Sequence, residues 1–372
     1  QRLWTQAIIL WNYLRLAFLP RAVAFGPFHD DYTVYDSSSI LAWLAAAAWL
    51  LVAVLAFILR QRTRLPLFAL LWFTVAHLVE STVIPLELYF EHRNYTAALF
   101  LFLPFASGLY SLRQHINLHL VNFIVIIVLA ILSLFTYERA KLWGNTEELQ
   151  LYWAKNSPNS PRAQNAIAST LMNQGQIFEA NQFLEHAIQR MPDSALLNLQ
   201  LLLQKVYAGI ATEQDFMDTA QRLKKQPFDA QAVQAIRVLT EHVSAQQFTQ
   251  YVDLSLNLIQ AMDDNAQYKQ FSVYKRVSPY LKAKLYIAKQ QPNEALSQYL
   301  IALPRYNDVE AGMMMVAELG SAGYTQHALE LLQKVKQVYQ HQTKLQRTKR
   351  EYDSEVKRVE EILNKQLQKK TT

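Results

Sequence analysis

An all-α fold in two parts, a polytopic helical membrane domain followed by a helical-repeat solenoid, is what this 372-residue sequence predicts, and three observations predict it. Long apolar runs broken by short basic or polar stretches fill the first 137 residues. Beyond them the chain turns Gln-, Asn- and Lys-rich without losing helical periodicity. In that second part small and apolar residues recur at a spacing near 34. The change in composition is sharp: residues 1–137 hold eight Arg, no Lys and six acids, and residues 138–372 hold the other 28 Lys plus Arg and 24 acids. We therefore place the domains at 1–137 and 138–372.

With 51% hydrophobic residues and a net charge of +6, neither part is basic enough to argue for nucleic acid. The absence of cysteine excludes disulfides and a thiolate nucleophile. The sequence has no initiator Met and no signal peptide and opens inside a helical pattern, so we expect it to lack its N-terminal part.

Residues 1–20 read as an amphipathic helix, with Trp4, Ala7, Ile8, Trp11, Leu14 and Phe18 on one side and Arg2, Gln6, Asn12 and Arg15 largely elsewhere. It is too polar to span, so we expect it to lie in the membrane interface. A loop marked by Pro20, Gly26 and Pro27 follows. It carries His29, Asp30 and Asp31, candidates for a divalent cation or simply solvated loop residues. Spanning helices are expected at about 40–59, 65–85, 96–112 and 117–136. Arg60, Arg62 and Arg64, with Arg113 and His115 agreeing, mark the cytoplasmic ends. The 87–94 loop and the whole of 138–372 then lie outside, which in a bacterial inner membrane is the periplasm.

From 161 to 194 the spacing fits a 34-residue tetratricopeptide unit, with Ile167, Ala168 and Leu171 on a first helix, Gly175 at the turn, Ala180, Leu184 and Ala187 on a second, and Pro192 at the close. The pattern blurs over 195–270. It returns at Ala283, Tyr286, Ala295, Tyr299 and Ala302, and again at Leu319, Gly323, Ala328 and Leu332. These are packing positions of a tetratricopeptide-type α-solenoid. A charged helix over about 339–370, with Leu345, Tyr352, Val356, Val359, Leu363 and Leu367, is expected to cap the array or reach a partner.

The stretch 77–95 carries His77, Glu80, Glu87, Glu91, His92, Arg93, Asn94 and Tyr95 between apolar runs. At about 1.5 Å per residue from Leu65, His77 lies roughly 18 Å and Glu80 roughly 22 Å into a hydrocarbon layer of about 30 Å, with Pro85 ending the helix. Their i, i+3 spacing puts them on one face, for pairing or for lining a polar cavity. Glu91, His92 and Arg93 offer an acceptor, a titratable ring and a planar guanidinium, which suit an anionic headgroup or phosphate; Glu87 and Asn94 suit an interface equally well.

Trp11-Asn-Tyr-Leu-Arg-Leu through Pro20-Arg21, Phe28-His-Asp-Asp-Tyr, and Pro85-Leu-Glu-Leu-Tyr-Phe-Glu-His-Arg-Asn-Tyr within 77–95 resemble the membrane part of bacterial tetratricopeptide proteins. Those are related to the transmembrane and tetratricopeptide-containing O-mannosyltransferases of the C-type glycosyltransferase superfamily. The resemblance covers residues 1–140 by motif and the remainder by repeat architecture, and the Glu-His-Arg-Asn-Tyr run is its most specific part. It implies a multi-pass enzyme that takes a polyprenyl-phosphate-linked sugar as donor, with the repeats holding an acceptor or partner protein. Glu80, Glu91 and His92 would then be catalytic candidates, and Arg93, Asn94, Tyr95, His77 and Glu87 would bind substrate. In that superfamily the catalytic acids usually sit in the first external loop, which no residue here supplies. The alternative is a non-catalytic, membrane-anchored scaffold for a polysaccharide or pilus machine.

Overall fold

The structure is a computed structural model that describes residues 1–21, 26–30, 32–79, 81–82, 87–112, 117–245, 248–341 and 352–371. Every regular element among them is helical, as the sequence predicts. The chain divides into two compact units, Gln1–Thr170 and Leu171–Thr372. The change in composition at residue 137 is not that division; it falls inside one continuous helix.

In the first unit, α1 (Arg2–Phe18) packs on α2 (Ile40–Leu59), the helix whose bounds match the sequence reading. Both ends of α2 are signalled, by the Ser39 hydroxyl that accepts from the Ala42 amide and by Arg60 after the last apolar residue. Indoles cross the α1–α2 interface in both directions: Trp11 donates to the Ala45 carbonyl at 3.1 Å and Trp49 to the Ala7 carbonyl at 3.0 Å. A half-buried indole N–H needs such an acceptor.

The face that α1 buries differs from the expected one. Thr5, Gln6, Ile9, Tyr13 and Leu16 turn inward. Gln6 donates to the Leu88 carbonyl at 2.9 Å, and the Thr5 hydroxyl exchanges hydrogen bonds with the Tyr35 backbone. Satisfying those backbone groups outweighs exposing an amide, so polar side chains take inward positions that periodicity assigns to apolar ones.

Two expected spans are shorter than predicted. α3 (Leu65–His77) stops thirteen residues in, about 20 Å and too short to cross, where the Leu78 amide tightens onto the Val75 carbonyl. The predicted 96–112 helix is two pieces, α4 (Asn94–Ala98) and α5 (Leu103–Leu112). Pro104 explains the break: it has no N–H, and its ring would strike the carbonyl four residues earlier, so the helix restarts with proline in its first turn. The predicted 117–136 helix is longer than expected. α6 (Leu118–Trp143) continues through Glu138, Arg139 and Lys141, good helix formers that keep the hydrogen-bond ladder. α2 and α6 are both long and apolar enough to cross a membrane. α7 (Thr146–Asn156) starts at the Asn145 cap and is followed by α8 (Pro161–Asn173).

The second unit comprises α9 (Ile177–Arg190), α10 (Ala195–Tyr207), α11 (Glu213–Leu223), α12 (Ala230–Ser244), α13 (Val252–Asp264), α14 (Ser272–Ala288), α15 (Pro292–Tyr306), α16 (Val309–Ser321), α17 (Thr325–His341) and α18 (Asp353–Thr371). Helices pack on the next or next-but-one in sequence, α12 on α14 and α15 on α17 for example. The stretch where the sequence pattern blurs is ordered helix: α10 buries Leu196, Leu197, Leu199, Leu202, Leu203 and Val206, so many leucines that no single stripe stands out. The charged tail is not one helix from 339. Among the described residues α17 runs to His341 and Tyr352 is not helical, Leu345 falls outside them, and α18 lays Val356 and Leu363 into the core beside α17.

Four helices, α8, α10, α14 and α16, end in the same Schellman turn. Residues 176, 210, 291 and 324 each donate to the carbonyl five residues back, and Gly175, Gly209, Gln290 and Gly323 hold positive φ before them.

Candidate functional site

Residues 87–89 form no regular element, Phe90 is extended, Glu91–Arg93 form one 3-10 turn, and α4 begins at Asn94. The turn is held by the Arg93 amide on the Phe90 carbonyl at 3.2 Å and by the Phe90 amide, which donates to the Tyr13 hydroxyl at 2.8 Å. Tyr13 is therefore fixed from α1, and its ring becomes the middle of a stack. On one face lies His77 at 5.3 Å, on the other Tyr89 at 5.1 Å, and beyond Tyr89 lies Tyr32 at 5.3 Å. Four separate segments meet in this column of rings. Burial, and then the Glu91 carboxylate, push the Tyr89 phenol well above its ordinary range. Burial also raises Tyr32, whose hydroxyl accepts from Asn12 at 2.9 Å.

Against the edge of Tyr89, at 4.4 Å, sits His29. Its Nε2 is 2.6 Å from Glu91 Oε1, an ion-pair distance without the alignment of a linear hydrogen bond. Both side chains are largely shielded, 18% and 13% exposed. The two stretches that the sequence singled out separately, 28–32 and 87–94, are thus one place. Glu91 also lines, with Asn94 and Tyr95, an otherwise apolar recess of about 380 Å³ walled by Tyr13, Leu16, Ala17, Ala98, Leu99 and Phe102.

The other predicted residues fall as follows. Arg93 packs over Phe90 at 5.3 Å and donates to the Glu87 carbonyl. Burial, and then repulsion from Arg93, hold Arg2 below the usual arginine range. His92 is exposed beside Phe90, and Tyr95 is 88% exposed. Asn94 donates to the Tyr13 carbonyl at 3.2 Å. His77 is buried in the stack. Glu80 lies outside the described residues, as do Asp31, Pro85, Arg113 and His115.

Of the His29, Asp30, Asp31 run, the two described residues, His29 and Asp30, do not converge on one point. Asp30 turns to Ser160 at 2.7 Å and Arg162 at 3.4 Å, away from the partner of His29. Among the described residues no three His, Asp or Glu side chains are grouped to hold a metal ion. Sequence reasoning missed Arg162, which also donates to Glu87 at 2.9 Å, and it missed the ring stack. Arg162 gave no sign, being 75 and 132 residues from its partners. For the stack the available sign was the pair of polar amides, Gln6 and Asn12, on α1. Compared with known proteins, the chain matches no family model and no curated protein.

Proposed function

We propose that this chain serves in a multi-pass membrane glycosyltransferase that moves a sugar from a polyprenyl-phosphate-linked donor to a periplasmic acceptor, with the second unit, a tetratricopeptide-type solenoid, binding acceptor or partner protein. One observation carries the reading. Glu91, paired with His29, lines an otherwise apolar recess, the arrangement an amphiphilic substrate with a reacting head needs. The first isoprene units occupy the recess, and Arg93 with Arg2 holds the phosphate. The imidazole, oriented by Glu91, takes the proton of the acceptor hydroxyl as that oxygen attacks the anomeric carbon and the carbon–oxygen bond to phosphate breaks.

Topology supports it. Trp153 contacts both Phe28 and Trp143 near this site, so α6 ends on the same side, and the Arg60–Arg64 turn is the length of α2 away, about 30 Å. The repeated Schellman turns and the sequential packing of the second unit support the solenoid reading.

The scaffold reading has its own observation: Arg93, Glu87 and Asn94 all make bonds within the chain, as purely structural residues do. Proteoliposomes carrying the full chain, with an undecaprenyl-phosphate-linked hexose as donor, separate the two. On the transferase reading Glu91→Gln and His29→Ala each lower transfer about 100-fold or more at equal protein level. Arg93→Ala weakens donor binding roughly 10- to 150-fold, and Arg93→Lys does so less. Equal transfer by Glu91→Gln, His29→Ala and the parent, with donor binding unchanged in both Arg93 variants, returns the protein to the scaffold class.

A further inference from the structure

We propose that the turn between α2 and α3 is a binding site for one acidic phospholipid, with its phosphate on Arg60 and Arg64 and an acyl chain along Leu67, Phe68 and Leu71. The inference rests on the reading that α2 crosses a membrane, and goes beyond the sugar-transfer site, which lies at the other end of that helix.

The turn closes tightly. The amides of Arg62 and Thr63 both donate to the Leu59 carbonyl at 2.9 Å, and α3 restarts at Leu65. Arg60, Arg62 and Arg64 therefore crowd into five residues, and the sequence offers no Asp or Glu between Asp36 and Glu80 to balance them. Among the described residues none of the three has a carboxylate partner. The Arg60 guanidinium lies 3.5 Å from the centre of the Phe57 ring. Stacking occupies the face of a guanidinium and leaves its in-plane N–H donors, which match a phosphate.

Beside this charge is a recess of about 560 Å³ lined by Arg60, Gln61 and Arg64 at the turn and by Leu67, Phe68 and Leu71 on α3. Positions 67, 68 and 71 share one helix face, and Phe68 and Leu71 remain 45% and 54% exposed. Cations at one end and an uncovered apolar wall along the other fit an amphiphile; a free phosphate would leave the wall bare. Arg62 carries the same charge in the same turn and does not line the recess, so the structure supplies its own control.

The test uses the full chain in mild detergent, titrated with phosphatidylglycerol and phosphatidylethanolamine of identical acyl chains, with bound lipid counted by native mass spectrometry. The parent and R62Q should favour phosphatidylglycerol about tenfold or more. R60Q/R64Q should fall to about twofold or less, and R60K/R64K, which keeps the charge, should lie between. Glycerol phosphate should not displace the lipid. Loss in R62Q equal to that in R60Q/R64Q, R60Q/R64Q binding unchanged, or displacement by glycerol phosphate would each overturn the site while leaving the membrane reading intact. Recovery of the chain in the soluble fraction without detergent would instead overturn that reading, and the site with it.

Discussion

Arg162 ties together residues that the sequence keeps far apart. Its guanidinium reaches Glu87 and Asp30, while Ser160 Oγ donates to the same Asp30 oxygen and Ser157 Oγ to the Phe28 carbonyl. The guanidinium is 24% exposed and Glu87 half exposed, so water screens the pair and its contribution is small. In a double-mutant cycle of Arg162→Ala with Glu87→Gln, read by denaturant unfolding, we expect a coupling of about 0.3–1 kcal/mol. A coupling of zero would mean that the contact positions nothing. At Glu318 the balance differs, because its tyrosine partners are buried. One oxygen accepts from Tyr280 at 2.7 Å and from Lys284 at 3.2 Å, and the other accepts from Tyr299, whose ring is fully enclosed. Asp263 does the same for Tyr274 at 2.9 Å, Ser278 at 2.7 Å and Lys282 at 2.6 Å. None of these partnerships was legible in the sequence, where Glu318 reads as one more solvated acid. Periodicity reports which face of a helix is apolar; it does not report which polar atom a neighbouring helix will leave in need of a partner.

At the scale of the element, helix existence was legible and helix ends were legible only where chemistry marks them. Ser39 and Arg60 fix α2, and Gly175 and Gly323 mark the turns after α8 and α16. α3 stops short of its prediction because hydropathy describes what surrounds a helix and not where its hydrogen bonds stop. The turn after α14 was invisible for a related reason: Gln290 occupies a left-handed position, φ 60°, that a glycine takes in its three counterparts. A non-glycine there costs roughly 1–2 kcal/mol, partly offset by its lower entropy when unfolded, so Gln290→Gly should stabilise by about 0.5–1 kcal/mol. A lower melting temperature for that variant would show that the Gln290 side chain contributes more than its backbone costs. Close packing gives a second test on α16. A Cβ added at Gly312 would meet Val335 at 2.8 Å and Leu303 at 2.9 Å, whereas at Gly320 it would meet Leu363 at 3.2 Å and Ala328 at 3.9 Å. Gly312→Ala should therefore destabilise by roughly 1–3 kcal/mol and Gly320→Ala by clearly less. The reverse order in urea unfolding would contradict the way α16 sits on α15 and α17.

For the whole molecule, the two units are built on different chemistry. The described core of the first is a small cluster around Ile9, Tyr13, Phe73 and Tyr89, and the second has a continuous core from Ala195 to Leu363 in which buried tyrosines bond to carboxylates. Burial first, and then the facing Glu318 or Asp263, raise the phenols of Tyr274, Tyr280 and Tyr299 far above their ordinary value. A group whose pKa is raised on folding stabilises fully below its unfolded value, about 10 for tyrosine, and that stability is lost as pH climbs beyond it. We expect these three to resist ionisation above pH of about 10 and then to ionise together as the helical signal collapses, followed by tyrosinate absorbance and circular dichroism. Free titration of all tyrosines with helices intact would contradict their burial. α6 carries a different consequence. Its side chains from Phe123 to Phe135 are all exposed, it runs unbroken for 26 residues, and its last turn closes on Gly144 directly before the Asn145 cap of α7, with Trp143 against Trp153. In mechanical terms α6 is a shaft about 39 Å long without a joint at its upper bearing. A tilt of that shaft cannot be absorbed by slack in a linker. It would be delivered as torque to α7 and, through Trp153 and Ser157, to Phe28, the residue next to His29.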